Sequence, residues 1–385
     1  MKRYFTTFLV ITVTVAFGFT QRSDDKTVKT KRSCYSAAAR SAAERAAKVY
    51  MTPDPDYDPV LGYARGAGPQ KGLPSVDDKG LAAPINCIAA PKPAKVGGTL
   101  PKFYCSVDGN IDENGKLVVY KVKPQFKGQS RDKRDGEIYG EFLSSRFSKA
   151  MGFFADDEWV ADVTCPDCQK SLTKPFQGTS WTPFQPAAGI EVSIADGIDV
   201  ACSGEDNVDL SPSLEKLDQS AAAAGNDASA EIDAFKLWLA FIDHGDTKKQ
   251  NHKIACLAHH DNADGSRSCD QPIFYVSDMG STFGFSSASE KKATLDLWRN
   301  KEPIRIDGGR CNSTAKSIGD SHVTEAGRKL LADNLQRLLD AEAQDGLITR
   351  VFAASRNAER DQSPAAWTAE FVRKAKTIIN ARCRE

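Results

Sequence analysis

The residues best suited to chemistry lie between Phe241 and Gly284, where FIDHGDTKKQNHKIAC is followed by a polar connection and then PIFYVSDMGSTFG. Asp246 stands five residues before Asn251, and a second acid, Asp278, closes an apolar run just ahead of Met279-Gly280. Two acids with an amide between them, carried on turns beside short strands, suit a site that holds a divalent cation on a polyphosphate while one carboxylate receives a proton. That chemistry is phosphoryl transfer. Asp, Asn and Gly also dominate turns for local reasons, so the stretch by itself leaves a catalytic and a conformational reading open.

The upstream elements decide between these readings. Thr99–Val107 and Lys116–Val122 have the texture of two strands joined by a Gly and Asn turn, a β-hairpin. Gly97-Gly98 precede the first strand, where glycine lets backbone N–H groups approach a phosphate, although the Walker spacing is absent. Lys123 ends the second strand, directly before Pro124. In Gly136–Gly152, Ile138, Phe142, Leu143, Phe147 and Met151 recur near helical spacing, and Glu137 and Glu141 share one face. An acid there can pair with a strand lysine and hold it against phosphate oxygens; the alternative is an ordinary surface glutamate. Glu158–Val163 reads as a further strand.

Downstream, Ile232, Phe235, Leu239 and Ile242 form a helical stripe leading into His244-Gly245-Asp246. Lys253–Leu257 and Ile273–Val276 read as paired strands, with Cys256 and Cys269 placed for a cross-strand disulfide. His259, His260 and Asp261 are zinc-ligand types, but adjacent histidines on a regular strand cannot both face one ion, and the segment reads as a solvated loop tip. No G-x-S-x-G elbow supports a serine hydrolase. Leu330, Leu331, Leu335, Leu338 and Leu339 mark a helix ending by Asp345-Gly346. Ser363-Pro364 starts another, with Trp367, Phe371 and Ile378 as its buried stripe.

Lys123, Glu141, Asp246, Asn251 and Asp278 thus occur in the order in which a kinase fold uses such residues. On VGGTLPK, VYKVKP, EFLSSRFSKAMGF, HGDTKKQN and SDMGSTFG, which span residues 96–285, the chain resembles the atypical kinase superfamily of HipA-like, phosphoinositide-type lipid and secretory-pathway casein kinases. The resemblance implies an α+β, two-lobed protein-kinase-like fold: a small β-rich N-lobe with one helix over 96–165, and a larger, mainly helical C-lobe over 166–385. It implies ATP with Mg2+ or Mn2+ in the cleft. By position Lys123 would contact the α- and β-phosphates, held by Glu141, with Glu137 a substitute, and Gly97 and Gly98 would line the phosphates. Asp246 in the catalytic loop 244–251 would orient and deprotonate the acceptor, and Lys248 would balance charge on the phosphoryl group. Asn251 and Asp278, the latter in the motif 278–280, would ligate metal. The pattern departs from the family in lacking G-x-G-x-x-G and the arginine before the catalytic-loop acid, and in having Met279 for the phenylalanine of D-F-G.

Composition sets the compartment and partners. With 385 residues, 41% hydrophobic, 26% charged and a formal charge of +0, the chain lacks the basic excess of a nucleic-acid binder. Lys2 and Arg3 precede an apolar and threonine run from Tyr4 to Phe19, with Ala16 and Gly18 as small residues near its end: a signal peptide over 1–20, or else an uncleaved N-terminal anchor tethering the chain to a membrane. The ten cysteines suit export to a secreted or periplasmic location, where they would form disulfides. Residues 21–95 read as an alanine-rich helix followed by a Pro/Gly-rich wrap, which Cys34 and Cys87 could staple to itself or to the body. Cys165-Pro-Asp-Cys168 lacks the second pair a zinc site needs. The expected function is an exported phosphotransferase moving the γ-phosphate of ATP to a hydroxyl on a protein, lipid or sugar. The alternatives are a catalytically silent binding or scaffold protein of the same fold, and an AMP transferase.

Overall fold

Period-two alternation along the strands sends each residue to one of two sheet faces. The computed structural model describes residues 34–69, 73–91, 101–107, 111, 117–124, 136–175, 181–194, 196–197, 217, 228–246, 251–285, 293–315, 318, 321–355 and 362–384. Strands β1 (Ile85–Asn86), β2 (Ile88–Ala89), β3 (Phe103–Ser106), β4 (Tyr120–Lys123), β5 (Asp157–Thr164) and β6 (Phe184–Val192) form one sheet in the order β1-β5-β6-β4-β3-β2. Only the β1–β5 pairing is parallel. One face buries Phe103, Cys105, Tyr120, Val122, Trp159, Ala161, Ala188 and Ile190 together. The alternate positions carry the charges: Tyr104 pairs with Lys121, Lys121 with Glu191, and Glu191 with Glu158 across four strands.

Helix α2 (Gly136–Ala150) lies on that second face; α1 (Ala37–Ala46) precedes the sheet, capped by the Ser36 hydroxyl, which accepts from the Ala39 N–H at 3.1 Å. Nearly every residue of α2 is buried, because strands cover one side and helices the other. Its contact with β6 is close at Gly189, where a Cβ would stand 3.1 Å from the Ile138 side chain.

Beyond the sheet, α3 (Ala228–Phe241) leads to a hairpin of β7 (His252–Cys256) and β8 (Pro272–Val276). The chain closes with α4 (Leu295–Arg299), α5 (Glu325–Asp345), α6 (Leu347–Ala354) and α7 (Pro364–Asn380). Gly346 ends α5 at φ 70°, and Ser363 caps α7 with Pro364 in its first turn, both as the sequence indicates. Phe147 of α2 meets Phe283, Phe352 and Phe371, so that α2 also joins the aromatic core of the helical part.

Cys256–Cys269 is the expected cross-strand bridge, and Cys165–Cys168, Cys87–Cys105 and Cys311–Cys383 are also bonded. Cys87 therefore ties the Pro/Gly-rich wrap to strand β3 of the body. The four disulfides among the described residues fit an oxidising compartment. Among the described residues no helix is long and apolar enough to cross a membrane. The N-terminal segment 1–20 lies outside the described residues.

Candidate active site

Strand β4 delivers two lysines to the α2 face, because Lys121 and Lys123 are two apart. Lys123 is buried and pairs with Glu141 of α2, and it also lies 3.1 Å from Glu191 of β6. Lys121 pairs with the same Glu191. Glu158 is buried beside them on β5. The expected Lys123–Glu141 pair is thus present, within a network the sequence reading did not anticipate.

The DMG segment reaches this network by crossing α2 where neither backbone carries a side chain. A Cβ on Gly140 would stand 2.6 Å from the Gly280 carbonyl oxygen, and one on Gly280 would stand 2.2 Å from Cγ of Glu137. Thr282 locks the crossing: its hydroxyl lies 2.8 Å from the Met279 carbonyl, 3.2 Å from the Gly140 carbonyl and 2.8 Å from the Ser144 hydroxyl. Carboxylate oxygens of Glu137, Glu141 and Asp278 consequently lie within 4.8 Å of one another. Asn251 joins from the same end of the hairpin, its carbonyl accepting from the Ser277 N–H at 2.8 Å. Its side chain is buried, with Nδ2 unpartnered among the described residues.

The loop after α3 is stitched to the same segment. Asp243 turns the chain at φ 53°, the Gly245 N–H donates to the Ser281 carbonyl at 2.8 Å, and the Phe283 N–H donates to the Ile242 carbonyl at 2.6 Å. His244, fully buried, sets Nε2 3.1 Å from the Asp278 carbonyl, and burial lowers its pKa. Asp246, half-buried, follows directly after this anchored turn. Gly97, Gly98 and Lys248 lie outside the described residues.

The charges are strongly perturbed. Burial would raise the Asp278 carboxyl, but Lys123, Lys121 and Lys102 outweigh it and hold it down at about 2. Burial would lower Lys123, yet Glu141 and then Glu191 raise it well above its ordinary value. Glu191 is likewise drawn down to about 2 against its burial by Lys121 and Lys123. Burial pushes Glu141 up to about 8 against the pull of Lys123, with Glu137 and Asp278 adding to the rise. Glu158 is driven well up by burial, then by Glu141 and Glu191.

No protein-family model matches the chain, and no curated protein matches it. Among solved structures the chain is similar to a Helicobacter pylori proinflammatory kinase, CtkA, at 11% identity over 77% of this chain and 93% of that one, with a TM-score of 0.37. At that level the chain's own geometry has to carry the functional reading.

That geometry brings together Lys123, Glu141 and Asp278, with Asn251 tied by its backbone to Ser277 and Asp246 following the His244-Gly245 turn that contacts Asp278 and Ser281. It adds Lys121, Glu158, Glu191 and Lys102, which the sequence reading missed. The signal for Lys121 was the alternation in Tyr120-Lys121-Val122-Lys123, which places both lysines on one face. His259 and His260 are exposed in a short strand, where His260 pairs with Asp270 at 2.8 Å, in keeping with a solvated tip. An ionised carboxylate, two neighbouring acids and buried ammonium groups suit a metal-bound, multiply charged anion.

Proposed function

We propose that the protein is a kinase-like phosphotransferase. In this reading the sheet with α2 is the small lobe, the hairpin with α3–α7 is the large lobe, and ATP is the phosphoryl donor between them. The observation that carries it is the Gly140–Gly280 crossing, which sets the ionised Asp278 beside a buried Lys123–Glu141 pair.

Lys123 would bind the α- and β-phosphates, and Glu141 would orient it. Asp246, held by the His244–Asp278 backbone contact, would position an acceptor hydroxyl and take its proton. Lys248 would offset charge on the transferred group, and Gly97 and Gly98 would approach the phosphates. Asp278, with Asn251 and Glu137 or Glu141, would hold Mg2+ or Mn2+; the clustered oxygens are hard donors that suit such an ion. Bound there, the ion supplies charge neutralisation to the phosphates. The acceptor is a hydroxyl on a protein, lipid or sugar, and the four disulfides support an exported setting.

Incubation of the protein with γ-labelled ATP and Mn2+ tests the reading. Label should appear on an acceptor, on the chain itself or in released phosphate, and Asp246→Ala and Asp278→Ala should abolish it. Absence of all three in the unsubstituted protein would sink the kinase reading.

A further inference from the structure

Lys102 immediately precedes strand β3, and antiparallel pairing of Phe103 with Val122 sets it opposite Lys123. Its alternate neighbour Tyr104 pairs with Lys121. Phe103 and Cys105 point into the apolar core on the other face. Lys102, Lys121 and Lys123 therefore share one sheet face on two adjacent strands. Like charges on facing strands are unfavourable, so such a trio requires anions. The two acids in contact with these lysines are already engaged: Glu141 by Lys123, and Glu191 by Lys121 and Lys123. Lys102 is 9% exposed as a residue, its ammonium keeps some solvent contact, and among the described residues that ammonium has no hydrogen bond or ion pair. Its backbone is nonetheless fixed, the Lys102 N–H donating to the Thr173 hydroxyl at 3.2 Å and its carbonyl accepting from the Thr173 N–H at 2.9 Å. A backbone-fixed, largely buried cation with no counter-ion among the described residues, beside two committed ones, suits an anion.

We infer that Lys102 is a phosphate-binding residue, and that Lys102 and Lys123 together grip a polyphosphate chain across the β3–β4 ladder. This deepens the phosphotransferase reading by naming the group that holds the donor's phosphates, and it rests on that reading for the donor being ATP. Burial and then the charges of Lys121 and Lys123 hold the Lys102 ammonium down at about 8, in keeping with a cation short of a counter-charge. The seat uses side-chain cations where G-x-G-x-x-G proteins use loop N–H groups, which accounts for a sequence that lacks that motif.

Inorganic tripolyphosphate, titrated calorimetrically into the full chain in chelator-treated buffer with sulfate holding ionic strength constant, tests the seat without nucleotide, metal or turnover. Lys102→Ala should weaken binding about tenfold to a hundredfold, the worth of one charge-assisted contact. Lys102→Arg, which keeps the charge, should stay within a few-fold, and Lys329→Ala on an exposed face of α5 should bind as the unsubstituted chain does. Far-UV circular dichroism checks that each variant is folded, and Lys102→Gln stands in should the alanine variant fail. The inference is overturned if tripolyphosphate does not bind the unsubstituted chain, or if folded Lys102→Ala binds it equally well. A chain that binds tripolyphosphate through Lys102 yet transfers no phosphate keeps the seat and loses the kinase reading. A chain whose Lys102→Ala variant transfers phosphate with unchanged KM for ATP does the reverse.

Discussion

Gly140→Ala isolates the crossing that brings Asp278 to α2. The added Cβ would stand 2.6 Å from the Gly280 carbonyl oxygen and 2.9 Å from the Thr282 hydroxyl. Ordinary contact begins at 3.4 Å, so the helix and the DMG backbone must part by 0.8 Å. Neither side yields easily, because the nearest atom is backbone and Thr282 is bonded to both strands of the crossing. Two effects on stability oppose each other. Overpacking costs about 1–3 kcal/mol, while replacing a mid-helix glycine by alanine returns about 1 kcal/mol. The net loss should be about 0–2 kcal/mol, and stability alone is a poor readout.

Function should respond far more, since a displacement near 1 Å costs about a hundredfold in rate when it misplaces a reacting group. The measurement is paired: urea unfolding for stability, and Mn2+ affinity with labelled-phosphate transfer for function. A folded Gly140→Ala protein losing about two orders of magnitude in transfer, with weakened Mn2+ binding, is the expected outcome. If the variant binds Mn2+ and transfers phosphate within about threefold of the unsubstituted protein, the crossing does not set the position of Asp278 and the reasoning fails.

Three further outcomes follow from the same structure. Lys123→Met takes the cation from Glu141 and leaves Glu191 to Lys121 alone, and should cost about 1–3 kcal/mol; adding Glu141→Gln should recover part of this in urea unfolding, and an equal or larger loss in the double variant would contradict the pairing. Glu158 keeps its proton when folded at pH values where the unfolded chain has released it, so the folded state loses stability as pH rises from the ordinary 4.5. Glu158→Gln should therefore flatten the alkaline-side slope by up to about 1.4 kcal/mol per pH unit, and an unchanged slope would show that other groups produce it. Cys383→Ser opens a bridge spanning 72 residues and should lower unfolding stability by about 2–4 kcal/mol; no change would mean that the Arg328 contact to the Ile378 carbonyl, at 2.9 Å, already fixes the end of α7.

What the sequence made legible was whatever local patterning determines. Helix α2, the β7–β8 hairpin, and the start of α7 at Ser363-Pro364 each follow from period, turn and cap residues. Strand β6 did not, although it is central to the sheet, because Phe184-Gln185-Pro186-Ala187-Ala188-Gly189 contains two strand breakers. Each breaker has a tertiary reason. Pro186 and Ala187 sit opposite Asp162 at a bulge, where Ala187 takes φ 46° and its N–H donates to Asp162 at 2.8 Å. Gly189 makes room for Ile138 of α2. With β6 unread, its Glu191 could not be placed, and the alternation that sets Lys121 on the face of Lys123 had no acid to give it a partner.

The same dependence on tertiary contact explains why the site's acids behave so differently from one another. Asp278 and Glu141 lie with carboxylate oxygens within 4.8 Å, yet one is held down at about 2 and the other up at about 8. Burial acts on both; the three lysines reach Asp278 strongly enough to outweigh it, whereas Glu141 also faces Glu137 and Asp278. Stability alone gives little reason for such an arrangement, because well-packed apolar residues in place of a buried ion network are often neutral or stabilising. Neighbouring carboxyl groups driven apart in this way, with one ionised and one ready to release a proton, divide labour as a site does.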